Sequence, residues 1–522
     1  MRVLLIYPPI TRYGLDPSEA GSIPPLGLAS IAAYAERDGH EVRIVDALTE
    51  GFHNRTTLAD SGGTQVGLSD DDISKRIEEF RPRVLGISIM FSAYAADGYR
   101  MAALAKAVDP TITVVVGGAH VNALTEHTLL GRPEIDLAIL GEGELTFSEF
   151  LTRIDAGEDW CQIQGIAFAR DNDLVRTESR PLIENLDDLP FPARHLLPME
   201  LYFSNHENPY VYRNRHTFML ASRGCPKRCI YCSIQSVWSH KWRHHSADYV
   251  VRQIEHLVRD YGVGEIHFVD DNLTANPKTA MEIFQTLIER KLDVKWTCPN
   301  GTAIWTLDEK LLDVMKTSGC YRLTFGIEAA SKETQAYIRK NLNTERARAM
   351  LSYANKIGIW TVSTFIFGFP HQTKEDMQDS IRYAISSGTD FATFYSLMPF
   401  PKTELWEILK KEDLINEGDF FENIGYYLST RGLDTTLYKS DEIREMTHLG
   451  YKRMLSTQVK RLITNPGHYF RKINSVDDFR YFCKLLGNFL FMARTLMKSA
   501  IFGKNRKVGG TVYWQRKAVQ RE

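Results

Sequence analysis

The sequence lacks a large net charge, a leader-like N-terminus and a cysteine pattern typical of a disulfide framework. Each absence argues against one class of protein. Its 63 basic and 65 acidic residues give a formal charge of -2, so no global field favours nucleic acid as a partner. The seven cysteines are an odd number with three clustered, which suits a reducing compartment. The N-terminal run MRVLLIYPPI is too short an apolar stretch for a signal peptide. We therefore expect a cytoplasmic protein that does not bind nucleic acid.

The length of 522 residues predicts at least two domains. In residues 1–150, short β-rich runs alternate with helical patterns, which predicts an α/β domain with a Rossmann-like parallel sheet. The predicted strands are Val3–Tyr7, Glu41–Val45, Val84–Ile89, Thr113–Gly117 and Leu137–Leu140, and the predicted helices include Leu28–Arg37, Asp70–Phe80 and Ala95–Ala107.

Four loops of this domain follow the carboxyl ends of predicted strands, where parallel sheets bind ligands. Paired glycines let a bulky ligand approach the backbone closely, and the acidic GEGE turn can accept hydrogen bonds. Each loop by itself is explained equally well as a tight turn. The candidate ligand-binding residues are Tyr7, Pro8 and Pro9 after the first strand, Ser92, Ala93 and Tyr94 after the third, Gly117, Gly118 and His120 after the fourth, and Gly141, Glu142, Gly143 and Glu144 after the fifth.

The same domain contains the runs PPLGLASIAAYAERDGHEV, VLGISIM, VVVGGAHVNALTEHTLL and DLAILGEGE. Together they resemble the cobalamin-binding domain that precedes the catalytic domain in one branch of the radical S-adenosylmethionine enzymes. The resemblance implies that the loops hold the corrin and its dimethylbenzimidazole tail, with His120 near the tail and residues 92–94 near the corrin underside. The D-x-H-x-x-G sequence that gives cobalt a histidine in other cobalamin proteins is absent. We therefore expect cobalt without a histidine ligand.

Residues 151–215 are predicted to be a linker. They contain the polar run Arg170-Asp171-Asn172-Asp173 and the segment DLPFPARHLLPMELY. Pro190 and Pro192 break helix and favour extended chain. Members of the same family join their domains through a similar Leu-Pro-x-Pro-Ala run.

Six strand and helix patterns follow in residues 216–410, which predicts a partial (β/α)6 barrel of the TIM type. In such a barrel the site lies at the carboxyl ends of the strands. The predicted strands are His216–Ser222, Glu265–Asn272, Val294–Cys298, Arg322–Gly326, Trp360–Phe367 and Phe391–Leu397, and the predicted helices include Pro277–Arg290 and Lys374–Ser387.

Three cysteines come directly after the first of these strands, in the run SRGCPKRCIYCSIQ. Cys225, Cys229 and Cys232 supply three of the four ligands that a [4Fe-4S] cubane needs, which leaves one iron open to a small molecule. A zinc site is the alternative, but no fourth cysteine or histidine stands at finger spacing. The spacing therefore favours a catalytic iron–sulfur cluster.

With an aromatic residue before its last cysteine, the C-x3-C-x2-C motif is similar to that of the radical S-adenosylmethionine superfamily. The resemblance implies that S-adenosylmethionine chelates the open iron and is split by one electron into methionine and a 5′-deoxyadenosyl radical. It also implies that other strand ends contact this cofactor. The candidate residues for these contacts are Tyr231, Asp270, Asp271, Glu328 and Gly368. The two aspartates are explained equally well as helix N-caps.

Two segments depart from the family pattern. Relatives often have Pro-Gly-Thr where this chain has Pro401-Lys402-Thr403, and lysine lacks the backbone freedom of glycine, so we expect a different turn. The segment SHKWRHHS replaces a basic Arg-x-Arg-Ser segment, with Arg243 keeping the basic character and His245 losing it. We expect this segment to be solvated or to face the substrate.

Residues 411–522 are predicted to form a helical C-terminal region. Charges inside the segment from Phe482 to Ile501 argue against a spanning helix. The segment has one apolar face and a basic run after it, so it either touches a membrane peripherally through residues 482–507 or packs on the barrel. The apolar face contains Phe482, Leu485, Leu486, Phe489, Leu490, Leu496 and Met497, opposite Lys484, Arg494 and Lys498, and the basic run is Lys504–Lys507.

These features predict a cobalamin-dependent radical S-adenosylmethionine methylase that acts on an unactivated carbon by way of methylcobalamin and a 5′-deoxyadenosyl radical. Its cofactors would be a [4Fe-4S] cluster, S-adenosylmethionine and cobalamin. Its partners would be a small-molecule or lipid-like substrate and an external electron donor of the flavodoxin or ferredoxin type. The alternatives are a non-methylating enzyme similar to the anaerobic porphyrin cyclases and a cobalamin-binding sensor with a structural cluster. A methylthiotransferase is disfavoured because the first domain lacks the cysteines for a second cluster.

Overall fold

The computed structural model describes residues 1–12, 22–58, 63–204, 210–422 and 433–502. It divides the chain into two compact units. The first contains residues 1–206 and 233–243, and the second contains residues 207–232 and 244–522. The segment directly after the last clustered cysteine therefore belongs to the first unit.

A seven-stranded sheet forms the centre of the first unit, in the order β10-β9-β8-β7-β6-β1-β3. Strands β3, β1, β6, β7 and β8 are parallel, which confirms the predicted α/β fold. A separate three-stranded sheet of the same unit has the order β2-β5-β4. The strands are β1 (Arg2–Tyr7), β2 (Ile10–Arg12), β3 (Glu41–Asp46), β4 (Arg55–Thr57), β5 (Thr64–Val66), β6 (Val84–Ser88), β7 (Thr113–Gly117), β8 (Leu137–Ile139), β9 (Ile166–Arg170) and β10 (Asp173–Arg176).

Helices cover the faces of this sheet because its central strands are apolar on both sides. Residues Val3–Ile6 and Val114–Val116 are almost fully buried. The carboxyl ends of the parallel strands are thereby left as the accessible edge. The helices are α1 (Leu26–Arg37), α2 (Ala47–Glu50), α3 (Asp70–Phe80), α4 (Ala95–Val108), α5 (Ala119–Ala123), α6 (Thr125–Leu129), α7 (Gly143–Ala156), α8 (Met199–Ser204) and α9 (Gln235–Trp238).

The segment 151–215, predicted as a linker, contributes two strands to the first sheet. Strand β9 is antiparallel to β8, and β10 is antiparallel to β9. The two-residue turn between them places Asp171 and Asn172 at φ 54° and 66°. Aspartate and asparagine tolerate this left-handed conformation, which a tight hairpin requires. The Arg-Asp-Asn-Asp run was therefore a hairpin signal.

Six parallel strands form the second unit, in the sequential order β11-β14-β15-β16-β17-β18. The two end strands are not paired with each other, as expected for a partial barrel. Two short strands, β12 (Ser222–Arg223) and β13 (Arg243–His244), flank the cysteine loop. The barrel strands are β11 (His216–Met219), β14 (Glu265–Phe268), β15 (Lys295–Cys298), β16 (Cys320–Glu328), β17 (Trp360–Phe367) and β18 (Phe391–Ser396).

Helices alternate with these strands and then continue to the end of the described chain. In the described residues, none of them combines the length and apolar content needed to cross a bilayer. The helices are α10 (Ala247–Tyr261), α11 (Pro277–Glu289), α12 (Glu309–Thr317), α13 (Lys332–Tyr337), α14 (Thr344–Lys356), α15 (Lys374–Ser386), α16 (Glu404–Lys411), α17 (Glu417–Glu422), α18 (Ser440–Thr464), α19 (Gly467–Phe470) and α20 (Val476–Phe502).

Part of the predicted apolar face of α20 packs on the barrel, whereas Leu490 of the same face is 52% exposed. Leu485 is buried, and Phe482 joins the cluster that contains Trp360. Leu486 and Phe489 line a cleft with Trp360. Plain packing therefore accounts for this part of the face. The side chains of Arg494, Leu496, Met497 and Lys498 and the run Lys504–Lys507 lie outside the described residues.

Candidate functional site

Backbone hydrogen bonds of Ile230, in the middle of the cysteine loop, hold the loop in place. Ile230 N–H donates to the Ile338 carbonyl at 3.2 Å, and the Ile230 carbonyl accepts from Leu405 N–H at 2.9 Å. A turn is closed by Cys232 N–H donating to the Cys229 carbonyl at 3.2 Å. Two separate helices thus fix the loop at the carboxyl end of β11, as a preorganised ligand set requires.

The three thiols differ in exposure. Cys229 is buried, whereas Cys225 and Cys232 are half-buried. Burial raises the pKa of the Cys229 thiol, with the Cys225 thiol adding to this and Lys340 opposing it. Tyr231 is half-buried, and its ring lies 5.9 Å from that of Phe369. Burial also raises the pKa of Tyr231 well above its ordinary value, so this phenol remains neutral.

The three cysteines fit the cubane that their spacing predicts. Among the described residues, no three cysteine, histidine or acidic side chains surround one point as ligands of one ion would. A cubane does not require this, because each thiolate binds a different iron. Asn272 Nδ2 donates to Cys225 Sγ at 3.5 Å, a contact of the kind that tunes iron–sulfur clusters.

Asp270 and Asp271 tie the start of the cysteine loop to the end of β14. Asp270 accepts from Ala221 N–H at 3.0 Å and from the Ser222 hydroxyl at 2.5 Å. Asp271 accepts from Gly224 N–H at 3.2 Å. Burial raises the pKa of Asp270 to about 7 and that of Asp271 to about 6. Both carboxyl groups thus position the start of the cysteine loop, and their contact with the cofactor stays a prediction.

Glu328 lies at the end of β16 in an ion pair that sequence reasoning missed. Its Oε1 is 2.7 Å from Lys340 Nζ, and both side chains are largely enclosed. Glu328 has a φ of 66°, which is unusual for a residue with a side chain and typical of functional sites. A Cβ on Gly326 would lie 2.8 Å from Glu328 Oε1 and from Lys340 Nζ, so glycine makes room for the pair.

Gly368, after β17, and Lys402, after β18, both have a positive φ. Gly368 has a φ of 105°, and a Cβ would lie 2.8 Å from Ile443 Cδ1 of α18. Its N–H donates to Gln372 Oε1 at 2.9 Å. At the Pro-Lys-Thr turn, Lys402 adopts a φ of 64°. The expectation of a different turn is therefore wrong in one respect, since lysine takes a left-handed conformation that glycine would favour.

At the edge of the first unit, residues 92–94 form a short 3-10 turn after β6. All three side chains are half-exposed. The two residues before them are apolar and exposed, Met90 by 44% and Phe91 by 58%. Exposed apolar side chains beside a strand end mark a ligand surface. They suit the flat apolar face of a corrin.

His120 supports this turn from inside the domain. Its Nδ1 is 2.8 Å from Ser92 Oγ, and its Nε2 is 2.7 Å from the Tyr99 hydroxyl. Burial lowers the pKa of His120 to about 3, so the ring is neutral. Both ring nitrogens have protein partners, which fits the expectation that this histidine is not a cobalt ligand. Gly118, at a φ of 115°, allows the loop to close on Ile89.

The GEGE turn is built into the domain by its acidic side chains. Glu142 accepts from Ile183 N–H at 2.8 Å and pairs with Arg243 at 2.7 Å. Glu144 accepts from the Ser30 hydroxyl at 2.9 Å. Gly141 N–H donates to Asn122 Oδ1 at 2.7 Å, and a Cβ on Gly143 would lie 3.0 Å from an Ile31 methyl group.

Within the segment that was expected to be solvated or to face the substrate, Ser239, Lys241 and His244 are exposed, whereas Arg243 is buried. Its side chain is 3% exposed, and Nη1 also donates to the Ile183 carbonyl at 2.6 Å. Two remaining donors, Nε and Nη2, are enclosed without a partner among the described residues. His245 is buried as well and stacks on Tyr249 at 4.0 Å. The orphaned donors of Arg243 suit an anionic or hydroxyl-bearing ligand.

Comparison with known families identifies both parts of the chain. Residues 18–151 match the B12 binding domain family and residues 219–384 match the radical SAM superfamily. The fold and the cysteine loop thus define a radical S-adenosylmethionine enzyme that carries a cobalamin-binding domain.

Relatives share this arrangement over most of the chain. An uncharacterized methyltransferase of Pyrococcus horikoshii is 34% identical over 80% of this chain and 84% of its own length. Cytidylyl-2-hydroxyethylphosphonate methyltransferase of Streptomyces wedmorensis is 34% identical over 77% of this chain and 80% of its own. The anaerobic magnesium-protoporphyrin IX monomethyl ester cyclase of Rubrivivax gelatinosus is 30% identical over 78% and 70%. The chain belongs to the cobalamin-dependent radical S-adenosylmethionine enzymes, and its cofactors are a [4Fe-4S] cluster, S-adenosylmethionine and cobalamin.

Two solved structures have the same fold. The cobalamin-dependent radical enzyme OxsB matches 96% of this chain and 72% of its own with a TM-score of 0.68 at 13% identity. The methyltransferase TsrM from Kitasatospora setae matches 79% of this chain and 75% of its own with a TM-score of 0.63 at 17% identity. At these identities the likeness concerns the fold alone.

Proposed function

We propose that the protein is a methylase that transfers a methyl group from S-adenosylmethionine, by way of cobalamin, to an unactivated carbon of a small molecule. The observation that carries the proposal is the presence in one chain of a fixed three-cysteine loop and an exposed apolar strand end that suits a corrin. The two relatives at 34% identity, which are named methyltransferases, support it.

When bound, the cluster with S-adenosylmethionine supplies a carbon-centred radical, and cobalamin supplies the methyl group. The chain binds and orients these groups. The three cysteines hold three irons, and Ile230 keeps their loop in place through both of its backbone groups. Glu328 and Lys340 present opposite charges that suit the ammonium and carboxylate of the amino acid portion of S-adenosylmethionine.

The first unit has a matching binding role in the proposal. Met90 and Phe91 would pack on the corrin and exclude water from it. His120 holds the Ser92 hydroxyl in place, which would help to orient the corrin. Arg243 Nε and Nη2, which have no hydrogen-bond partner among the described residues, would donate to a polar group of a cofactor.

A cyclase is the rival function, since a cyclase is among the relatives at 30% identity. The test uses the full chain, reconstituted without oxygen with iron, sulfide and hydroxocobalamin and reduced by titanium(III) citrate. A methylase makes both 5′-deoxyadenosine and S-adenosylhomocysteine from S-adenosylmethionine. Formation of 5′-deoxyadenosine without cobalamin-dependent S-adenosylhomocysteine would favour the cyclase.

A pair of cysteine variants controls this test. Cys229→Ala removes a cluster ligand and should abolish 5′-deoxyadenosine. Cys161→Ala removes a free thiol of the first unit and should leave the yield unchanged. If the two variants make equal amounts of 5′-deoxyadenosine, the proposed cluster site is wrong.

Three further features belong to the proposal. All seven cysteines are free, which supports work in the reducing cytoplasm. The half-buried Cys225 and Cys232 support electron delivery by an external flavodoxin or ferredoxin, tested by replacing titanium(III) citrate with each protein. A peripheral membrane contact through residues 482–507 is supported by Leu490, which is 52% exposed.

A further inference from the structure

Exposed apolar side chains concentrate near the end of the second unit. Thirteen large apolar side chains of the described residues are exposed, and six of them lie within residues 459–490. Ile463 is 74% exposed and Val476 is 68% exposed. Val459 and Ile463 lie one turn apart on α18, and Val476 and Phe479 lie one turn apart on α20, so each helix exposes an apolar pair on one face, as interaction surfaces do. We call these six residues the C-terminal apolar patch: Val459, Ile463, Phe470, Val476, Phe479 and Leu490.

The patch is spread over three helices that touch one another. Helix α18 contacts both α19 and α20. Each helix also has an inner side packed on the barrel, because Leu462, Tyr469 and Phe482 belong to one aromatic cluster with Trp360. The exposed side chains are thus presented by helices whose other sides are firmly packed. Loose packing does not explain their exposure.

Positive charge surrounds the patch. Residues 451–490 contain eight basic and two acidic residues, and seven of the basic residues are not buried, since only Lys472 is enclosed in an ion pair with Asp390. Lys452, Arg453 and Lys460 are exposed, and in the described part of the chain none of them has an ion-pair partner. Asp477 pairs with Arg480 at 3.1 Å, and Asp478 accepts from the Tyr212 hydroxyl at 2.7 Å but keeps its negative charge, so the two acids offset only two of the basic residues. The surface charge that remains is therefore positive.

The sequence beyond the described residues continues this charge pattern. Residues 503–522 contain six basic residues and one acidic residue. They follow α20 directly in the chain. An apolar surface within a basic segment complements one kind of partner better than others, namely a surface with an apolar interior and anionic headgroups.

We propose that the C-terminal apolar patch docks the enzyme on the surface of an anionic lipid bilayer. The inference extends the membrane contact of the proposed function from residues 482–507 to the exposed sides of three helices. The patch side chains enter the headgroup region, while the basic side chains lie at the level of the phosphates. The face of α20 that packs on the barrel takes no part.

The test measures cosedimentation of the reconstituted full-length enzyme with vesicles. Vesicles of phosphatidylcholine with about one third phosphatidylglycerol should bind at least about tenfold more protein than pure phosphatidylcholine, and added salt should weaken the binding. The double variant Ile463→Ser, Phe470→Ser should lower binding to anionic vesicles by about tenfold. Leu437→Ser is the control, because Leu437 is 50% exposed outside the patch.

Equal binding by the wild type and the double variant would overturn the proposal. So would equal binding to neutral and anionic vesicles. If light scattering instead finds a dimer that the double variant disrupts, and vesicles are not bound, the patch joins two copies of the chain and the proposal is wrong. The double variant should make 5′-deoxyadenosine at the wild-type rate in solution, so failure of membrane binding and failure of the proposed function give different results.

Discussion

Arg243 and Glu142 form a buried ion pair of 2.7 Å, with each side chain only 3% exposed. Glu142 lies in the GEGE turn, and Arg243 ends the segment 233–243 that follows the last clustered cysteine. Both residues also bond the backbone of Ile183. The chain that leaves the cysteine loop is therefore anchored inside the cobalamin-binding unit.

Glu142→Gln should cost about 3–5 kcal/mol of unfolding free energy, because it leaves the Arg243 charge buried without its partner. Urea unfolding measures this loss. Glu78→Gln, which changes an exposed glutamate of α3 in the same unit, should cost under about 0.5 kcal/mol. Equal costs for the two variants would show that the ion pair does not anchor the segment.

Gly118→Ala should weaken cobalamin binding and lower stability. The φ of 115° is unfavourable for alanine, and its Cβ would lie 2.5 Å from the Ile89 carbonyl oxygen, which is backbone and cannot rotate away. A cost of about 2 kcal/mol or more is expected. Absorbance titration with hydroxocobalamin and thermal unfolding check this. Gly27→Ala is the control, because its Cβ would meet nothing within 4 Å.

Asp46 predicts a pH dependence of stability in the first unit. Burial raises its pKa to about 6, although Tyr202 and Thr49 donate hydrogen bonds to it. The folded-state pKa lies above the usual value of about 3.9, so the folded chain binds more protons between those pH values. This contribution to stability is complete below about pH 4 and is lost as the pH rises through about 6.

Asp46→Asn should remove that slope, because asparagine has no proton to lose in this range. The measurement is the urea midpoint of the wild type and the variant at several pH values. Asparagine resembles the protonated carboxyl group, so the two curves should lie closest below about pH 4 and separate as the pH rises through about 6. Parallel curves would contradict the argument, and Asp71→Asn on the exposed side of α3 should give a curve parallel to the wild type.

Local sequence patterns predicted most of the fold. Helix Asp70–Phe80 and strand Trp360–Phe367 have the predicted bounds, because a capping serine and an apolar run are signals that nearby residues supply. The cluster-binding role of the cysteine loop was equally predictable, since it depends on the spacing of three cysteines in the sequence. Its location after the first barrel strand followed from counting strand and helix patterns.

Long-range partners could not be predicted in this way. Glu142 and Arg243 are 101 residues apart, and the sequence around either residue does not indicate that the other is its partner. The same holds for Gly326, whose missing side chain makes sense only beside the Glu328 and Lys340 pair. The positive φ of Lys402 runs against local preference and is imposed by its surroundings.

Glu328→Gln should raise the dissociation constant for S-adenosylmethionine by about tenfold, because it removes one charge of the pair beside the cluster loop. Calorimetric titration of the reconstituted enzyme measures this, and iron content should stay unchanged. Arg339→Gln breaks an exposed ion pair with Glu404 and should leave the affinity as it was. A normal affinity in Glu328→Gln would remove this residue from the cofactor site.

The central claim is that one chain moves a methyl group from S-adenosylmethionine to cobalamin and also cleaves S-adenosylmethionine at its cluster. Reduced, reconstituted enzyme should be given S-adenosylmethionine with a deuterated methyl group and analysed by mass spectrometry. We expect deuterated methyl in the cobalamin fraction and unlabelled 5′-deoxyadenosine in the same reaction. Cobalamin that stays free of label while 5′-deoxyadenosine accumulates would contradict this claim.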